Sequence, residues 1–215
     1  MKLNILVPEH LKEITLEQYQ KFAKLNTKEN EGSAFLLHKM IEVFCNLDLK
    51  DIATIKYKDV QKITLQLNKV FDKKTELIPT FKLKGIEYGF VPELDEITLG
   101  EYIDLDNYLG DWDNMHKAMA VLYRPINFKK DNKYHIEDYK GSNSIMLDMP
   151  LDIALGAMVF FWSLNEELLQ ITLNYLNKEI PNNLTLQQKE ALEKSGIGIN
   201  QSMDLLKGML PNLIQ

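Results

Sequence analysis

A mainly α fold with a small antiparallel β-hairpin or sheet, an α+β class, is predicted by three observations. A capped helix start occurs twice. Several segments carry apolar residues at helical spacing. One short stretch alternates apolar and lysine residues around a glycine. The repeated start is the strongest of the three. Val7 to Tyr19 reads Val-Pro-Glu-His-Leu-Lys-Glu-Ile-Thr-Leu-Glu-Gln-Tyr, and Val91 to Tyr102 reads Val-Pro-Glu-Leu-Asp-Glu-Ile-Thr-Leu-Gly-Glu-Tyr. With His10 set aside, nine of twelve aligned positions are identical.

Each copy holds the parts of a helix N-terminus. Thr15 and Thr98 are N-cap residues whose oxygens accept from first-turn N–H groups. Gln18 and Glu101 stand three residues on and reach back to the cap N–H, completing a capping box. Ile14 and Ile97 lie five positions before Tyr19 and Tyr102, the spacing of a hydrophobic staple. Pro8 and Pro92 hold the incoming chain extended. A weaker third box, Thr185 with Gln188, lacks the tyrosine. Downstream, Leu37–Cys45 and Met115–Tyr123 keep His, Lys and Val in register. The chain therefore reads as two related units, residues 1–75 and 76–141, and a C-terminal helical segment, 142–215. They form one domain or two intimate ones, because neither short unit buries a full apolar face alone.

Taken in order, Leu3, Ile5 and Val7 alternate as a short strand would. A helix after Thr15 places Leu16, Tyr19, Phe22 and Ala23 on one face. Ala34–Phe44 is a largely apolar helix with Phe35, Leu36, Met40, Ile41 and Phe44 turned inward. Residues 49–55 form a short helix or turn. Tyr57–Phe71 is amphipathic, with Val60, Ile63, Leu67 and Val70 on one stripe. A two-residue turn at Lys84-Gly85 pairs Leu83 with Ile86 and Phe81 with Tyr88. The Leu3–Val7 strand or helices are expected to cover this hairpin. The second capped helix runs from Thr98 to Leu109, and another from Met115 to Tyr123, stopped by Pro125. Residues 127–139 read as a polar loop with a short strand, and Gly141 to Ser144 as a break. Asp148 and Pro150 suit a helix start for the apolar run Leu151–Leu164, continuing toward Pro181. That run is too short to span a bilayer and carries Asp152, so a central buried helix is predicted rather than a membrane segment. Helices over 185–194 and 201–210 follow, with Gly196 a C-cap.

Composition narrows function without naming it. The 215 residues are 45% hydrophobic and 26% charged, with a net charge of −6, ordinary for a globular chain and unfavourable for a general nucleic-acid binder. Lysine outnumbers arginine 24 to one, a mark of AT-rich coding rather than of a chemistry. The single Cys45 forms no internal disulfide, and the opening residues lack a signal-peptide run, so an intracellular or virion setting is expected. The four histidines show no paired metal spacing. His38 and His116 hold equivalent repeat positions, which implies a structural role. Gly196-Ile197-Gly198 lacks the lysine of a phosphate loop. No cofactor or metal is predicted.

The unusual local composition is acidic. No Lys or Arg occurs from Gly85 to His116. The tract reads either as a solvated face with carboxylates matched to helix dipoles, or as a docking face for a basic partner. Glu93, Asp95, Glu96, Asp104, Asp106, Asp111 and Asp113 are the partner-binding candidates. Two alternatives stay open: a metal-dependent hydrolase using carboxylates around Glu101 and Asp104, and a nucleic-acid binder using Lys56–Lys74 and Lys129–Lys133.

The runs Phe90 to Leu105 and Met119 to Ile126, with Phe160-Phe161-Trp162, resemble proteins of tailed bacteriophages encoded beside tail, baseplate and assembly genes. That resemblance covers about the middle third of the chain and rests on structural motifs. It implies a non-enzymatic virion component or chaperone-like assembly factor. It would bind other virion or tail proteins, in the host cytoplasm during assembly or in the particle, and is compatible with an oligomer. It carries over no catalytic residues.

Overall fold

A computed structural model describes residues 5–131 and 133–179. Within it the repeated stretch forms the same local structure twice. A 3-10 turn at Leu11–Glu13 precedes α1 (Leu16–Ala23), and a 3-10 turn at Leu94–Glu96 precedes α5 (Leu99–Tyr108). Both capping boxes are complete. Gln18 N–H donates to Thr15 Oγ1 (3.2 Å) and Thr15 N–H to Gln18 Oε1 (2.9 Å). Glu101 N–H donates to Thr98 Oγ1 (3.3 Å) and Thr98 N–H to Glu101 Oε2 (2.6 Å).

The remaining helices follow their apolar spacing. Ser33 caps α2 (Ala34–Cys45), accepting from Leu36 N–H. Asn46, in the left-handed region at φ 51°, ends it. A short α3 (Leu49–Ile52) leads to α4 (Tyr57–Phe71), which buries the predicted Val60, Ile63, Leu67 and Val70. In α2 the expected inward set is partly wrong. Met40, Ile41 and Phe44 are buried, but Phe35 is 48% exposed with the Lys39 ammonium 6.0 Å from its ring centre. Phe35 lies in the first turn of α2. Cys45 is buried, as its apolar helix suggests, and burial pushes its thiol up to about 11.

The sheet is larger than a hairpin. β1 (Thr80–Leu83) and β2 (Ile86–Phe90) pair in the predicted register, Phe81 with Tyr88 and Leu83 with Ile86. Lys84 and Gly85 both have positive φ, 49° and 84°, as a type I′ turn requires. The order continues antiparallel through β3 (Tyr123–Lys130) and β4 (Lys133–Ile136). Residues 127–139 are thus mostly strand. The expected strand at Leu3–Val7 is absent over the described residues 5–7, and β3 pairs with β2 in its place. Pro125 concealed β3, because proline marks a strand as unlikely in sequence. It sits opposite Tyr88, next to a register shift between Ile126 and Phe128. Pro125 also ends α6 (Met115–Leu122), so helix passes directly into strand at Tyr123.

The third segment closes the core. Asp148 does not cap α7 (Leu151–Glu179). It ends a 3-10 turn at Ser144–Asp148 and pairs with Lys84 at 2.5 Å. Pro150 forms an antiparallel bridge with Thr15 instead. Leu16 N–H donates to the Met149 carbonyl (2.8 Å) and Leu151 N–H to the Ile14 carbonyl (2.9 Å). Ile14, Leu16, Met149 and Leu151 are all fully buried there. Further along α7, Phe160 stands edge-on to Phe90 at 5.6 Å, tying the helix to the sheet. One buried cluster contains residues of α1, α2, α4, the sheet, α6 and α7. The expected third box, the helices over 185–194 and 201–210 and the Gly196 cap lie outside the described residues.

Candidate functional site

An open groove of about 1090 Å³ lies beside α5. One wall is the chain from Val91 through the first turns of α5, with Glu93, Glu96, Ile97, Thr98, Ile103 and Asp104. The other is β4 and the segment after it, with Lys133, His135, Glu137 and Asp138. The repeated start positions the first wall, because the capping box fixes where α5 begins.

At the base lies the only arginine of the chain. Arg124 Nη1 is 2.6 Å from Glu101 Oε1, and the two side chains are 13% and 5% exposed. The Glu101 carboxylate is therefore divided, one oxygen capping α5 and the other holding Arg124. Burial raises its pKa, but Thr98 and the guanidinium outweigh that, so it is held below the ordinary glutamate value. Arg124 Nε is buried with no hydrogen-bond partner. Above the pair, Tyr139 donates its hydroxyl to Asp104 Oδ2 at 2.8 Å. Tyr134 lies across Gly89 and donates to the Phe90 carbonyl at 2.8 Å.

The first unit has a neutral counterpart. Gln18 Nε2 donates to Asn46 Oδ1 at 3.3 Å and to the Val43 carbonyl at 2.8 Å. Asn46 and Arg124 each stand one residue beyond the aligned helices Leu37–Cys45 and Met115–Tyr123. In both units the box residue therefore reaches the position just past the aligned stretch, the C-cap of α2 in the first and the second residue of β3 in the second. The opposite faces differ. Tyr19 is buried against Trp112, ring centres 4.5 Å apart, while Tyr102 is 56% exposed. A second staple tyrosine inside the core is thus not found. Nor do the two histidines match. His38 is exposed, whereas His116 Nδ1 lies 3.2 Å from Gln20 Nε2, an amide that also donates to the Trp112 carbonyl at 2.6 Å.

The acidic candidates do not form one face. Glu93, Glu96 and Asp104 line the groove, and Asp95 and Asp106 are exposed on the same region of chain. Asp111 instead accepts from Asp113 N–H and the Asn114 amide, and Asp113 pairs with Lys24 at 3.3 Å. Sequence reasoning missed Arg124 as the partner of Glu101. Its signal was available, because a lone arginine beside an acidic tract seeks a bidentate or buried carboxylate. For a hydrolase, both central carboxylates are engaged: Glu101 by Thr98 and Arg124, Asp104 by Tyr139. No group of three or more His, Cys, Asp or Glu suited to a metal occurs among the described residues. No described helix is long and apolar enough to cross a membrane.

His116 makes a pH test of the α1–α6 contact. Burial first, then the Lys117 and Lys24 charges, lower its pKa below 6.5. A lowered histidine pKa means the folded chain binds fewer protons than the unfolded chain, so stability falls as pH drops below 6.5. Urea midpoints measured from pH 7.5 to 5.5 are expected to fall in the native chain. In His116→Gln that part of the slope is lost.

Searches with protein-family models, curated proteins and solved structures found no match to this chain.

Proposed function

We propose that this protein is a non-enzymatic binding module that docks a basic segment of another virion or tail protein of a tailed bacteriophage. The observation carrying the reading is the charge of the groove. Its lining holds Glu93, Glu96, Asp104, Glu137 and Asp138, while Arg124 is consumed by Glu101 and Lys133 stands as the remaining lysine. Such a surface steers and orients a cationic partner. The matched box contacts of Gln18 and Glu101 support descent of both units from one module. That makes a scaffold more economical than an active site as the thing conserved by duplication. The phage setting is supported by the resemblance of the Phe90–Leu105 run.

A photo-crosslinking residue placed at Ile103, on the groove wall, tests this. The expected product is a covalent complex with another virion or tail protein, identified by mass spectrometry and weakened by high salt. The same residue at Leu65, exposed on α4, gives no such complex. Absence of the protein from both purified particles and assembly complexes contradicts the reading.

A further inference from the structure

The two units supply an internal comparison, because the same helix start is covered in one and bare in the other. Leu16, Tyr19 and Gln20 of α1 are 0%, 4% and 5% exposed. Their equivalents on α5, Leu99, Tyr102 and Ile103, are 74%, 56% and 49% exposed. The bare face is the more apolar of the two, since isoleucine replaces glutamine. The opposite face of α5 is not bare, because Glu101 and Leu105 are buried.

Tyr19 packs on Trp112 and Phe71, and Gln20 on Trp112 and His116, but what covers Leu16 is a segment of defined chemistry. Met149-Pro150-Leu151 lies antiparallel to Ile14-Thr15-Leu16, with a hydrogen bond on each side of the bridge, and then continues as α7. Proline suits the bridge centre, which needs no N–H there. In the second copy the same backbone groups, Leu99 N–H and the Ile97 carbonyl, have no such partner among the described residues. Charge differs in a telling way. Lys12 lies in the Leu11–Glu13 turn, which packs against α7, and Asp152 is the residue directly after the covering tripeptide. The position equivalent to Lys12 is Asp95, with Glu93, Glu96 and Asp106 around it.

We infer that the start of α5 is a docking site for an apolar–Pro–apolar segment of a partner protein, followed directly by Lys or Arg and continuing as a helix. The segment pairs with Ile97-Thr98-Leu99 and covers Leu99, with its helix passing over the Leu94–Glu96 turn as α7 passes over Leu11–Glu13. The charge inversion specifies the partner's cation and disfavours a second copy of this chain, whose own segment carries Asp152 toward Asp95. This site rests on the binding-module reading and specifies its partner.

Fluorescent peptides spanning residues 147–158 test it in anisotropy titrations with the full chain, one native and one Asp152→Lys. The Asp152→Lys peptide is expected to bind about fivefold more tightly, the scale of one surface charge reversal. Leu99→Asp, at an exposed position, weakens it about tenfold or more with the unfolding midpoint unchanged. Asp95→Lys reverses the preference between the two peptides. No binding, equal binding of both peptides, or binding indifferent to Leu99→Asp overturns the proposal. Should crosslinking at Ile103 still capture a virion protein, only this docking mode fails and the binding reading stands.

Discussion

Gly156→Ala is expected to lower the stability of the chain by about 2 kcal/mol, which for a domain of this size lowers the melting temperature by about 4–8 °C. Gly156 is buried within α7, and a Cβ there meets the Glu76 carbonyl at a separation no side chain tolerates, with Leu77 N 3.4 Å away. The obstacle is backbone leading into β1, so no rotamer change relieves it. Alanine brings its own gain of about 1 kcal/mol in helix propensity. The overpacking cost of about 3 kcal/mol exceeds that gain. Gly100 is the control, also helical, but with nothing within 4 Å of its position for a Cβ. Gly100→Ala is therefore expected to stabilise by roughly 0.5–1 kcal/mol. Urea unfolding of both variants checks the pair, and equal effects would show that α7 does not press on the Glu76 carbonyl.

Glu101→Gln is expected to cost about 3 kcal/mol, because it strands a mostly buried guanidinium. The cap itself survives, since Gln18 performs the same box in α1. Adding Arg124→Asn removes the stranded charge and recreates the Gln18–Asn46 pair of the first unit. The double variant is expected within roughly 1–1.5 kcal/mol of the native chain, well short of the sum of the two single losses in the mutant cycle. Additive losses would contradict the equivalence of the two contacts. Acid has a matching effect. The depressed Glu101 pKa contributes stability that is present above the ordinary value of 4.5 and lost as pH falls below it. The Glu101→Gln variant lacks that acid-side loss.

Much of the fold was legible because local rules decided it. The α4 stripe, the hairpin register from Lys84-Gly85 and both capping boxes depend on spacing within a few residues. β3 was hidden because Pro125 is locally hostile to a strand, and only pairing with β2 places it there. The Leu3–Val7 alternation misled in the other direction, since residues 5–7 have the pattern but are not in a strand. Gly156 is a further legible signal, since a glycine inside a strongly apolar helix marks a close neighbour.

The site was half legible. Glu93, Glu96 and Asp104 were named from the charge run, and they line the groove. Asp111 and Asp113 were named by the same rule, yet local turn geometry and Lys24 hold them elsewhere. The exposure of Tyr102 was illegible, because the Tyr19 sequence is the same and its burial depends on Trp112 and Phe71, supplied from far along the chain.

Amide hydrogen exchange at two leucines tests the central claim most directly. Leu16 N–H is bonded to the Met149 carbonyl inside the core, and it is expected to exchange only through large-scale unfolding. Leu99 N–H occupies the same place in the repeat, and it is expected to exchange near its unprotected rate. Adding the Asp152→Lys peptide should slow Leu99 and leave Leu16 unchanged. Protection of Leu99 in the free protein equal to that of Leu16 would contradict a helix start that is covered once and open once.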